Sequence, residues 1–268
     1  MKCYEKFLFF IVSLSFAGIV HFSFPNAVSA EPFDHSHKLW QATLNNYLQR
    51  VAYQSYFNYE GLKKNRETFN KYLKSLSSVT RKQYKGFNEK EKLAFLINAY
   101  NAYTVELIIS NYPVKSIRNI GGLFSNPWKK EFFVLLGDET YLDYIEHAIL
   151  RKEFNEPRIH FSINCAAIGC PSLQEKAYTA GNLEALFEKG GSEFLKDPAK
   201  NKLNAENQTL KISKVFYWFK SDFEKKYGSV EAFLAPRITS DEQLQKSILQ
   251  GEYNIIYANY DWSLIDSR

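Results

Sequence analysis

Chemistry-bearing side chains are scarce in this chain. Its 268 residues include only three cysteines and five histidines. Two of the cysteines, Cys165 and Cys170, lie beyond the first thirty residues. They allow one intramolecular bond and no multi-bridge framework. The His and Cys spacings match no standard zinc pattern, so no metal and no cofactor is expected. Basic runs such as Lys63-Lys64 and Lys129-Lys130 are dipeptides, too short for a nucleic-acid surface. The net charge of +5 is a mild excess spread along the chain. There is no internal repeat, low-complexity tract or domain linker. Beyond the first thirty residues, no segment reaches spanning length without charges.

Those first thirty residues read as a signal peptide. Lys2 and Lys6 precede an apolar run from Phe7 to Val20, and Val28-Ser29-Ala30 offers the small residues that signal peptidase requires. Cleavage after Ala30 predicts an exported protein, periplasmic or secreted, with no stable membrane span. Cys3 lies before the apolar run, unlike a lipoprotein cysteine. Export makes a Cys165–Cys170 disulfide a natural outcome. The aromatic content, 18 Tyr, 22 Phe and 4 Trp, must mostly build the core.

Periodicity predicts helices over His37–Val51 and Leu62–Leu76. A third opens at Asn88, where Glu91 completes a capping-box pattern. Leu93 to Ile109 is apolar on most sides, which predicts a buried helix ended by Asn111-Tyr112-Pro113. A hairpin is expected over Phe132–Leu142, then a short helix over Leu142–Arg151. Pro157 precedes a predicted strand, Arg158–Asn164. Helices follow over Asn182–Lys189 and Gly191–Lys196, then a hairpin over Lys202–Ser213. A helix over Val215–Tyr227 is stopped by Gly228. Two more helices, Val230–Leu234 and Glu242–Gln250, precede a last strand, Tyr253–Tyr260. Hairpins without strand–helix–strand repeats predict an α+β fold, a small, mostly antiparallel sheet packed against several helices. The expected organisation is a signal peptide (1–30), an N-terminal helical region (31–85) and a main domain (86–265).

Candidate chemistry gathers in three segments. Asn98 and Asn101 share one face of the buried helix, so their amides need partners. They either tie the helix to backbone groups or orient a catalytic group. Glu146 and His147 lie side by side on a short helix, about 100° apart, so they form no dyad with each other. Arg151, one turn later, would hold His147 neutral as a base. His160 leads into Cys165. Strand parity puts His160, Ser162 and Asn164 on one face and Cys165 on the other, which favours His147 over His160 as the base for Cys165. Cys165 is open to three readings: a disulfide with Cys170, a buried inert thiol, or an activated nucleophile. Asp143 reads as complementing a helix dipole, and Tyr260-Asp261-Trp262 as locking the last strand to the body.

Taken together, Ala94–Ala102, Tyr144–Arg151, His160–Cys165 with Gly169-Cys170-Pro171, and Tyr260–Ser263 resemble the domain of unknown function family 547 (DUF547). The resemblance covers Glu89 to Ser263. It implies a shared site of Asn98, Asn101, Glu146, His147, His160 and Cys165, and it carries no established reaction. Our leading expectation is a thiol-dependent hydrolase or acyltransferase of the cell envelope, papain-like or transglutaminase-like, acting on a protein or peptide. Its rival is a non-catalytic envelope binding or scaffold domain held by a Cys165–Cys170 disulfide.

Overall fold

The computed structural model describes residues 32–122 and 125–267, so the expected signal peptide lies outside the described residues. From Phe33 onward the chain forms one unit, built around a single long helix, α5 (Glu89–Asn111). Its start is the capping box expected from the sequence: Asn88 accepts from the Glu91 amide and the Glu91 carboxylate accepts from the Asn88 amide. The run Leu93–Val105 is buried without interruption, and Phe95, Leu96 and Ile97 have no exposure. By length and composition α5 could cross a membrane, but it lies inside the molecule as the core helix. Burial of each such side chain stabilises the fold by roughly 1.5–3 kcal/mol.

Shorter elements wrap α5. Helix α1 (Lys38–Tyr47) buries Trp40 and Leu44, then leads into a hairpin of β1 (Leu48–Val51) and β2 (Gln54–Phe57). The expected helix to Val51 therefore stops four residues early, where Leu48 turns extended to pair with Phe57. The expected helix Leu62–Leu76 is two helices, α2 (Tyr59–Lys64) and α3 (Glu67–Ser77). Helix α4 (Arg81–Gly86) and the hairpin of β3 (Phe133–Leu135) and β4 (Asp138–Thr140) complete this side. That hairpin turns at Leu136-Gly137, both with positive φ, as a two-residue connection requires.

The second half adds a smaller core centred on Phe161, Phe216, Phe223 and Phe233. Helix α6 (Arg151–Glu153) precedes it. Helix α7 (Leu183–Lys196) is continuous where two helices were expected. Gly190 does not break it. A Cβ there would lie 3.0 Å from the Phe161 carbonyl, so the glycine permits close packing. Strands β5 (Lys202–Asn204) and β6 (Thr209–Ile212) form the predicted hairpin, and β7 (Asn254–Tyr257) joins β6 in parallel. Helices α8 (Val215–Trp218), α9 (Lys220–Tyr227), α10 (Val230–Ile238) and α11 (Glu242–Leu249) pack around it. The α+β class and the mostly antiparallel pairing hold, with the strands among the described residues distributed over three small sheets.

One difference decides how the site is read. Residues Pro157–Phe161 form a 3-10 helix and not the expected strand. Pro157 occupies the first turn, where its missing N–H is harmless, and the Glu156 carboxylate caps the Arg158 amide. A short apolar alternation fits either conformation. Without a strand, the parity that separated His160 from Cys165 does not apply.

Candidate functional site

The cysteine turn is built from Asn164. Its side chain accepts from the Ala166 amide at 2.7 Å and donates to the Pro171 carbonyl at 2.7 Å. Ala166 takes a left-handed conformation to close the loop. Cys165 and Cys170 are thereby brought to a Cα separation of 6.3 Å and are joined in a disulfide. The C-terminal segment then pairs along the turn, with Ile168 N–H donating to Ser263 O and Gly169 N–H to Asp261 O. A Cβ on Gly169 would stand 2.9 Å from the Tyr260 ring, so only glycine allows this approach. Tyr260-Asp261-Trp262 does lock the C-terminal segment to the body, and it also enters the site. The Tyr260 hydroxyl lies 3.0 Å from Cys170 Sγ and 3.3 Å from Cys165 Sγ.

The disulfide borders a cleft of about 200 Å3 at the seam of the two cores. Glu146, His147, His160 and Cys165 all line it, together with an aromatic wall that includes Trp128, Trp218, Phe219 and Trp262. Glu146 and His147 both face in because Tyr144–Leu150 winds as a π-helix, with the Arg151 amide reaching back to the Glu146 carbonyl. The wider turn narrows the angle between neighbours from the 100° expected of an α-helix.

His160 is held from two sides. Its Nε2 lies 2.8 Å from Asp222 Oδ2, and its ring stacks on Phe219 at 3.6 Å. Phe219 can do so because the expected helix Val215–Tyr227 breaks there, between α8 and α9. Asp222 also receives Arg151 through two bonds, Nε to Oδ2 at 2.6 Å and Nη2 to Oδ1 at 3.0 Å. An ionised Asp222 can only accept, so Nε2 carries the proton and Nδ1 keeps its lone pair. That Nδ1 is buried without a hydrogen bond, 3.8 Å from Glu146 Oε1.

Charge states follow from burial. Burial lowers the His160 pKa to about 4, although the bond to Asp222 opposes it. Burial pushes Glu146 up to about 7, helped by the Asp143 charge and opposed by Arg151 and the Tyr100 hydroxyl. Asp143 itself is raised by burial. His147 is lowered by burial first, with Arg151 adding to it as the sequence suggested. Arg151 donates to His147 Nδ1 at 3.1 Å. Asp222 would be raised by burial, but the bonds from His160 and Arg151 outweigh this and hold it well below the carboxylate range.

Glu146 makes a stability prediction. Its ordinary value is 4.5 and its folded value about 7. Between those pH values the unfolded chain ionises Glu146 while the folded protein keeps it protonated, so stability falls as pH rises. At about 1.4 kcal/mol per pH unit the loss is roughly 3 kcal/mol. Glu146→Gln should therefore gain roughly 3 kcal/mol relative to the parent between pH 4 and pH 8. Urea titrations at both pH values measure the difference, in which the opposing His160 contribution cancels.

Asn98 and Asn101 do not reach the cleft. Asn98 bridges both backbone groups of Tyr178, at 2.7 and 3.0 Å. Asn101 donates to the Ser162 carbonyl at 2.9 Å and accepts from the Asn164 amide at 2.8 Å. They tie α5 to the loops that carry the site. Conversely, the sequence did not single out Asp222, and it did not place Tyr260, Tyr100 or the aromatic wall in the site. Asp143, read as a dipole partner, also lines the cleft. Only the Phe219/Asp222/Phe223 spacing on one helical face hinted at Asp222. Among the described residues, no group of three or more His, Cys, Asp and Glu is arranged to hold a metal ion.

Comparison with known proteins gives one family. Residues 84–195 match the model of DUF547, described as a protein of unknown function. No curated protein and no solved structure matches the chain. The matched segment carries α5, the π-helix, His160 and both cysteines, and ends before Asp222 and Tyr260.

Proposed function

For a chain that carries a DUF547 domain, we propose thiol-dependent hydrolysis or acyl transfer at this cleft, with the disulfide as its resting state. The observation that carries the reading is the buried Nδ1 of His160, which makes no hydrogen bond, on a residue that lines the same cleft as Cys165. Once the disulfide is reduced, Cys165 is the nucleophile. Neutral His160, oriented by Asp222, takes its proton and returns it to the leaving group as the acyl thioester forms. Water or an acceptor then releases the acyl group. His147, the base favoured by strand parity, instead bonds Arg151 and faces Asp143 at 3.9 Å. Asn98 and Asn101 support the loops and supply no oxyanion donor. That role falls to the Tyr260 hydroxyl and to the Cys165 amide, which reduction frees from Cys170 Sγ. The apolar run Phe7–Val20 and the Val28-Ser29-Ala30 site support an exported, envelope setting.

The disulfide favours a second reading, a non-catalytic binding domain whose ligand lies against the aromatic wall. Intact-mass spectrometry separates the two. Cys170→Ser, incubated without reductant with a panel of activated esters and peptide thioesters, should carry one acyl group mapped to Cys165. The parent chain should do so only after reduction, and Cys165→Ala not at all. A Cys170→Ser protein that stays unmodified with every acyl donor returns the cleft to the binding reading. N-terminal sequencing of the protein should begin at Glu31, whereas a retained apolar segment would make Phe7–Val20 a membrane anchor in place of a cleaved signal.

A further inference from the structure

We propose that the Cys165–Cys170 disulfide is itself a reaction centre for thiol–disulfide exchange, in which an incoming thiolate attacks Cys165 and Cys170 leaves. This activity does not depend on acyl transfer, although the two share Cys165.

The asymmetry of the two sulfurs carries the inference. Both cysteines line the cleft, but Cys165 is half-buried, whereas Cys170 is only 1% exposed. An external thiol therefore meets Cys165 first. The departing sulfur is the better provided with donors, since the Tyr260 hydroxyl lies farther from Cys165 Sγ, at 3.3 Å. The Cys165 amide lies 3.1 Å from Cys170 Sγ and the Tyr260 hydroxyl 3.0 Å from it. Two donors aimed at one sulfur stabilise the thiolate that forms there, and a thiol of lower pKa leaves faster. A disulfide serving only as a staple has no need of them. Tyr260 also stays a donor near neutrality, because burial and the Glu146 charge push its own ionisation up.

The bookkeeping closes with one co-reactant, a dithiol. Its first thiolate bonds to Cys165 Sγ while the S–S bond breaks and its electron pair goes to Cys170. The client's second thiolate then attacks the client sulfur of the mixed disulfide and releases the Cys165 thiolate. The client loses two electrons and two protons and becomes a disulfide, and the Cys165–Cys170 pair becomes a dithiol. The volume of about 200 Å3 admits a small thiol or a cysteine on an extended peptide, not a folded surface.

The test uses the oxidised full chain with two probes, glutathione and an unstructured peptide bearing two cysteines. Reactions are stopped by acid, alkylated and mapped by mass spectrometry. The mixed disulfide should form on Cys165, at a second-order rate at pH 7 at least about tenfold above that of the same disulfide in the urea-unfolded chain. Tyr260→Phe should slow it by about tenfold, the worth of one hydrogen bond to a charged group. If both probes react alike the client is any thiol, whereas preference for the peptide assigns a protein client. A mixed disulfide on Cys170, or a rate no faster than in the unfolded chain, overturns the proposal. Should Tyr260→Phe fail to fold, the mapped sulfur and rate of the parent chain still decide. Acyl transfer is read on Cys170→Ser, where the Cys165–Cys170 disulfide cannot form, so failure of one activity is distinguishable from failure of the other.

Discussion

Asn101→Ala should lower folding stability by about 3–5 kcal/mol, seen as a reduced urea midpoint at unchanged slope. Asn101 is 2% exposed and makes two short bonds across 61 and 63 residues of sequence. Alanine removes both at once and strands the Ser162 carbonyl and the Asn164 amide. Each buried, unpaired backbone group costs about 1–3 kcal/mol, and the lost amide leaves a small cavity besides. Asn98→Ala should behave alike, since it strands both backbone groups of Tyr178. The two differ in their effect on the cleft. Asn101 holds the amide that precedes Cys165, so its loss should also loosen the cysteine turn and speed alkylation of Cys170 after reduction. A stability change below 1 kcal/mol accompanied by lost acylation of Cys165 would instead give the amide a chemical role.

These amides mark how far the sequence could be read. Two Asn residues on an apolar helix announce that something must satisfy them, because the cost of leaving an amide unpaired is local. Their partners are not local. Tyr178, Ser162 and Asn164 arrive through packing that no short pattern encodes. The capping box of α5 was legible because Asn88 and Glu91 interact within one turn. The segment Arg158–Asn164 misled because Ile159, Phe161 and Ile163 suit a strand, while Pro157 and the Glu156 cap favour a 3-10 turn. That single difference reversed the choice between the histidines. Gly190 misled in the opposite sense, as a helix break where the fold needed a close approach to Phe161. Of the six expected residues, Glu146, His147, His160 and Cys165 nonetheless share one cleft; reactive side chains are so scarce here that their clustering in the sequence was informative. Asp222 was not singled out and Tyr260 was read only as a lock, both being common residue types whose contacts in the cleft lie 62 to 95 residues away.

Asp222 carries the other large expected effect. In a Cys170→Ser background, Asp222→Ala should reduce the rate of Cys165 acylation by about 10²–10⁴-fold, the range for general-base catalysis. Asp222 is a positioning residue: its carboxylate fixes the His160 tautomer that leaves Nδ1 free, and it neutralises Arg151 beside the ring. Without it the imidazole can rotate or place its proton on either nitrogen, and Arg151 is left unpaired. Arg151 is about a quarter exposed, so its loss of a partner should destabilise by only about 2–3 kcal/mol, less than for a fully buried pair. Asp222→Asn should fall between alanine and the parent. Its oxygen can still accept from His160 and Arg151 Nε, but its amide nitrogen opposes the second Arg151 donor. The pH profile separates orientation from mere folding. The parent profile should lose activity as pH falls through about 4, where His160 gains its proton. Removing Asp222 withdraws the charge that favours that proton and leaves the one that opposes it, so the acid limb should move lower while the plateau falls. A plateau that falls in proportion to the unfolded fraction, with the limb unmoved, would reduce Asp222 to a structural partner of Arg151 and remove His160 from the chemistry.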